Sequence, residues 1–132
     1  MEFIIMSLYT YFKNAKGTGV LATADSDGVV DIAVYAKPEV VDDTMVAFIM
    51  KERLSWENLK SNPRAAYMFI EKGEGYKGKR LYLTKVREET NTSIVEEFIK
   101  RQPEIAESGD DSRKYLVYFQ VDNVWPLVGD KI

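Results

Sequence analysis

Lys51, Arg53 and Ser55 stand together where an apolar run meets a short amphipathic segment, in MVAFIMKERLSWENLKSNP from Met45 to Pro63. A strand that delivers cations and a hydroxyl to a helix N-terminus makes an anion site, because free backbone N–H groups and the positive end of the helix dipole point the same way. The ligand suited to such a corner is a phosphate monoester. The plainer alternative is that Ser55 only caps a helix and that Lys51 and Arg53 are solvated.

The elements around this corner follow from periodicity. Met45 to Met50 is an apolar run of strand length, too short for a core helix, and is expected to be buried on both faces. Ser55 is the expected N-cap of a helix that stops at Ser61-Asn62-Pro63. Upstream, Ser7 is placed to cap a helix whose residues Leu8, Tyr11, Phe12 and Ala15 share one face and which ends at Gly17. Gly19–Ala24 reads as a strand, Asp25-Ser26-Asp27-Gly28 as a hairpin turn with glycine at the positive-φ position, and Val29–Val41 as the return strand. That strand is broken at Tyr35-Ala36-Lys37-Pro38, because Pro38 has no N–H for a ladder.

Downstream, strands are expected over Arg64–Ile70, Tyr76–Val86 and Arg113–Asp122, with a helix from about Thr90 to Gln102 ended by Pro103. Glu104–Asp111 reads as an acidic solvated loop. Asn91-Thr92-Ser93 matches a glycosylation sequon, and its position favours a helix cap. The sum is a mainly β chain with short helices, a six-stranded antiparallel barrel with helices over its openings. Pairing of two such barrels would hide remaining apolar surface, so a homodimer is expected.

Composition narrows the chemistry. The 132 residues are expected to form a single domain, 1–132, and a net charge of -3 offers no broad basic field for nucleic acid. The sequence contains no Cys and no His, which excludes disulfides, thiol nucleophiles, Ser-His triads and the usual zinc sites, so no metal site is expected. No paired carboxylates stand at a motif, and a bound cofactor would have to supply reactivity. Phe3-Ile4-Ile5-Met6 is too short for an export signal, and there is no apolar stretch of membrane-spanning length. A cytoplasmic protein is expected, with no membrane partner.

Four pieces, in this order, resemble the FMN-binding split-barrel family that includes pyridoxamine 5'-phosphate oxidase and the small bacterial FMN-binding proteins. They are GVLATADSDGVVDIAVYA, VVDDTMVAFIM, SWENLKSNPRAAYMFI and GYKGKRLYL, and together they cover roughly residues 17 to 86. The resemblance implies a six-stranded split β-barrel with FMN as cofactor. Ser55 stands where the family usually has a Thr on the FMN phosphate, Asn58 stands at the family's Asn, and Lys51 and Arg53 lie where it supplies basic partners. Leu54 stands where some members have a phosphate-binding Lys or Arg, a departure from the pattern. Val34, Tyr35 and Ala36 match the segment whose backbone lies along the isoalloxazine ring, and Val34 replaces more polar or aromatic residues. Trp125 matches the C-terminal segment that closes the pocket across a homodimer. The function implied is a flavin-dependent oxidoreductase acting on a small substrate or a nicotinamide electron donor; the alternative is a flavin or phosphorylated-ligand module without turnover.

Overall fold

The computed structural model describes residues 2–102 and 113–129; the acidic loop expected at 104–111 and the helix stop at Pro103 lie outside them. Helix α1 covers Glu2–Asn14, then strands β1 (Gly17–Ala24), β2 (Val30–Val34), β3 (Glu39–Asp42) and β4 (Met45–Lys51) lead to α2 (Leu54–Ser61). Strands β5 (Arg64–Glu71) and β6 (Gly78–Thr90), helix α3 (Ser93–Lys100) and strand β7 (Lys114–Pro126) complete the order. All pairings are antiparallel, in one sheet of order β2-β1-β5-β6-β7-β4-β3. The mainly β architecture expected from the sequence is present.

The strand count is seven, not six. The expected return strand Val29–Val41 divides at Tyr35–Pro38 into β2 and β3, which lie on opposite edges of the sheet. Only four residues join those edges, and five peptide steps reach at most about 18 Å, so the sheet must curl until its edges approach. The curl brings Phe48 of β4 to 4.9 Å from Tyr67 of β5 between ring centroids, across two intervening strands. Inside lie Leu21, Val46, Phe48, Met50, Tyr67, Phe69, Leu81, Leu83, Val117 and Phe119, all buried. Each such side chain contributes roughly 1.5–3 kcal/mol on leaving water.

The helices plug this curl. Leu8 and Phe12 of α1 are buried in the core, as the i, i+4 pattern predicts, but the helix begins well before Ser7, which is not its cap. Trp56 and Leu59 of α2 are buried too, with Trp56 stacked on Tyr115 at 4.7 Å. Helix α3 is capped by Thr92, whose hydroxyl accepts from the Val95 N–H at 3.2 Å, the role favoured over the sequon. It covers the outer face of β4 and β7, where Val95, Phe98 and Ile99 meet Ala47, Ile49, Leu116 and Tyr118.

Local turn chemistry behaves as its residues dictate. Asp25 Oδ1 accepts from the N–H groups of Asp27 and Val29 at 2.9 and 3.0 Å, and Gly28 takes φ +82°. Two strands run longer than their composition indicates. β6 continues to Thr90 and β7 continues through Trp125 to Pro126, because register shifts at Tyr82/Leu83 and Lys85/Arg87 let the pair bend and stay hydrogen-bonded.

Candidate functional site

A groove of about 670 Å³ lies between the edge strand β2, the β2–β3 connector and the start of α2. Its walls include Gly17–Gly19 of β1, Asp31–Val34 of β2, Tyr35–Lys37, Phe48, Ile49 and Lys51 of β4, the corner Arg53–Ser55, and Gln102 after α3. Volume and lining are those of a small-molecule site.

The connector that forms one wall is held from three sides. The Tyr35 N–H donates to the Gly19 carbonyl at 3.0 Å, and Tyr67 Oη donates to the carbonyls of Tyr35 and Ala36 at 3.4 and 3.2 Å. A Cβ at Gly19 would collide with the Tyr67 hydroxyl and the Tyr35 carbonyl, so glycine is required there. Lys37 Nζ donates to the carbonyls of Phe12 and Ala15 at 2.6 and 2.8 Å, satisfying acceptors at the end of α1. These contacts turn a four-residue link into a rigid rim.

The corner differs in one detail from its sequence reading. The N-cap of α2 is Arg53, with no side-chain cap bond, and Ser55 is the second helical residue, buried and facing the groove rim. The shift arises because Arg53 already adopts the extended backbone of a cap, at φ -120° and ψ -169°, and its carbonyl accepts from the Glu57 N–H at 3.0 Å. The first backbone N–H groups of α2 therefore lack a side-chain cap at Arg53, beside Lys51, Arg53 and Ser55. The Tyr35 phenol joins this corner. Burial raises its pKa; the Ser55 hydroxyl and Arg53 guanidinium pull it down, while Asp31 pushes it up. It stays a neutral hydrogen-bonding group in ordinary buffers.

The groove thus gathers Val34, Tyr35, Ala36, Lys51, Arg53, Leu54 and Ser55, and leaves out two of the sequence candidates. Asn58 is 5 % exposed and its Nδ2 donates to Thr23 Oγ1 of β1 at 3.0 Å, so its amide ties α2 to the sheet. Trp125 lies in β7 on the outer sheet face, edge-on to Tyr82 at 5.3 Å and under the Arg80 guanidinium at 5.3 Å. Sequence reasoning missed Gly19, Asp31 and Gln102 as lining residues. Gly19 had a signal, a glycine inside a strand pattern, which marks close backbone approach; Gln102 had none.

No family model matches the chain, and no curated protein matches it in sequence. Solved structures do match. An FMN-binding protein from Syntrophomonas wolfei superimposes with a TM-score of 0.82 at 15% identity, over 98% of this chain and 90% of that one. The fold is that of the FMN-binding split barrels. A Lactobacillus delbrueckii split barrel provisionally assigned as a pyridoxamine 5'-phosphate oxidase matches at TM-score 0.66 and 17% identity, covering 90% of each chain. HutZ, a heme storage protein from Vibrio cholerae, matches at TM-score 0.67 and 17% identity, over 89% of this chain and 90% of that one. The split-barrel scaffold therefore serves proteins described by different ligands, and the choice among them has to come from the groove itself.

Proposed function

We propose that the groove binds FMN and that the protein is a flavin-dependent oxidoreductase of the pyridoxamine 5'-phosphate oxidase-like group, acting on a small substrate or a nicotinamide electron donor. The observation that carries this reading is the Lys51–Ser55 corner at the α2 N-terminus, a phosphate-type site opening into a groove walled by Val34–Ala36. The FMN phosphate would take the backbone N–H groups, Arg53 and Ser55, and the ring would lie along the connector that Tyr67 and Lys37 hold rigid. Bound there, FMN would supply the two-electron chemistry that a chain without His or Cys lacks among its own side chains. The same absence weighs against heme, whose commonest axial ligands are imidazole and thiolate. The reading belongs to the cytoplasm, where FMN and nicotinamide donors are supplied; among the described residues no helix is long and apolar enough to cross a membrane.

A homodimer completes the proposal. Across the outer sheet face runs the cross-strand row Val34–Val20–Met68–Arg80–Trp125, one residue from each of β2, β1, β5, β6 and β7. Its apolar edge is open, Val34 being 76 % exposed. A two-fold interface is self-complementary, so a pairing centred near Met68 would lay Trp125 of one protomer over Val34 of the partner subunit, at the groove's rim. Trp125 would then serve the flavin of the other protomer.

An absorbance spectrum of the purified protein tests the first claim. Yellow protein, or colourless apoprotein that takes up FMN stoichiometrically and not riboflavin at the same concentration, is expected. Failure to take up FMN overturns it. Reduction of bound flavin by NADH or NADPH separates the oxidoreductase from a module without turnover. A monomer by sedimentation at micromolar concentration overturns the dimer.

A further inference from the structure

Gln102 reaches the groove from just beyond the end of helix α3. Helix α3 is anchored on the outer face of β4 and β7, and its end is clamped by Arg101, which bridges Glu39 of β3 at 3.3 Å and Glu97 at 3.9 Å. One residue on, the Gln102 N–H donates to the Ile99 carbonyl at 3.0 Å, so its side chain leaves from a fixed point. The residue is 8 % exposed and lines the groove, as Ile49 does. Among the described residues its carboxamide has no hydrogen-bond partner. The carboxamide is not among the fully enclosed side-chain atoms left unpaired, so it is open to the groove, and an occupant there is in position to pair with it.

We propose that Gln102 selects the groove's occupant by pairing its carboxamide with the imide edge of the isoalloxazine ring, an inference that rests on the flavin reading above. A carboxamide holds an acceptor and two donors in one plane. An imide holds an N–H between two carbonyls, so the two edges meet through paired hydrogen bonds, as side-chain amides meet nucleobase edges. No other part of FMN presents that pattern. The phosphate calls for cations and N–H groups, which the Lys51–Ser55 corner contains, and the dimethylbenzene edge calls for apolar surface. Ile49 precedes Lys51 by two residues on β4, roughly 7 Å along the strand, comparable to the reach of the pentitol arm between phosphate and ring. On the flavin reading, Gln102, a neutral group lining the groove outside the Lys51–Ser55 corner, is assigned to the ring and not to the phosphate.

The test compares FMN with 3-methyl-FMN, in which the imide N–H is replaced by N–CH3. Wild-type protein is expected to bind FMN at least about tenfold more tightly than the methylated form, the worth of a lost hydrogen bond at an enclosed site. Gln102→Met keeps the length of the side chain and removes its hydrogen bonding. It should weaken FMN about tenfold, leave 3-methyl-FMN nearly unchanged, and abolish the preference. Gln102→Leu should behave alike, and serves if the Met variant does not fold. A preference that persists in the variant, or is absent from the wild type, overturns the role of Gln102. Uptake of neither flavin by wild-type protein fells the flavin reading and this inference together, whereas FMN uptake with an unchanged preference fells this inference alone.

Discussion

The outer face of the sheet is treated in opposite ways at its two ends. Over β4 and β7, Ala47, Ile49, Leu116 and Tyr118 are sealed by α3, and the chain covers its own apolar surface. Over β2, β1 and β5, the row Ile32–Ala22–Ala66 and the row Val34–Val20–Met68 stay open at the edge strand, where Ile32 is 71 % exposed and Val34 76 %. Side-chain chemistry is similar at both ends, so composition does not distinguish them. The difference lies in where the chain supplies a covering element: α3 follows β6 and folds back over β7, whereas β2 ends in a four-residue connector with no length to return. An edge strand with an apolar face left in this state is a liability for a monomer, and the dimer proposed above would cover it.

The covered end should fail by unfolding. Leu116 is fully buried, and Leu116→Ala is expected to cost about 2–5 kcal/mol in a urea titration through lost burial and the cavity left behind, with no change in the association of the molecules that remain folded. In the proposed dimer, the open end should fail by dissociation. Ile32→Glu should leave the unfolding free energy of the monomer within about 0.5 kcal/mol, as at an exposed site, while sedimentation shows the dimer constant weakened at least a hundredfold. If Ile32→Glu left association untouched, the two ends would differ in exposure but not in purpose.

The Lys51–Ser55 corner lines the groove, whereas Asn58, on the same helix, stays outside it and belongs to the scaffold. Arg53→Ala is expected to weaken FMN by roughly ten- to a hundredfold, the range for a charge-assisted hydrogen bond, while the thermal transition stays in place. Asn58→Ala should do the reverse. Leaving Thr23 without its partner costs about 1–3 kcal/mol of stability, read by denaturant titration, and FMN affinity of the folded protein should hold.

The smallest effect concerns pH. Burial raises the Tyr67 phenol well above its ordinary value of 10.0. The folded chain holds this proton more tightly than the unfolded one, so the associated stability is present in full below pH 10 and is lost as pH rises from there through the folded value. Tyr67→Phe should cost about 1 kcal/mol at neutral pH through the lost bonds to the connector, and flatten the decline in melting temperature above pH 10. An unchanged alkaline slope would remove Tyr67 from that transition.

Much of the local structure was legible because it depends on neighbours in sequence. The Asp25–Gly28 turn, the buried strand at Met45, the cap at Thr92 and the basic corner before α2 each follow from a few adjacent side chains and their backbone preferences. Even the break at Pro38 was visible, because a missing N–H is a property of the residue itself. What that break meant was not. Whether Tyr35–Pro38 is a bulge within one strand or the bridge between two sheet edges depends on which strands Val34 and Glu39 pair with, and those partners, Val20 and Ala47, come from different hairpins. Tertiary pairing also extended β7 through Trp125, gave the Asn58 amide to Thr23, and brought Gln102, forty-seven residues after Ser55, to the same groove. Propensity and capping act over a turn of chain; the faces that meet are chosen by the curl of a whole sheet, and only the folded sheet has that curl.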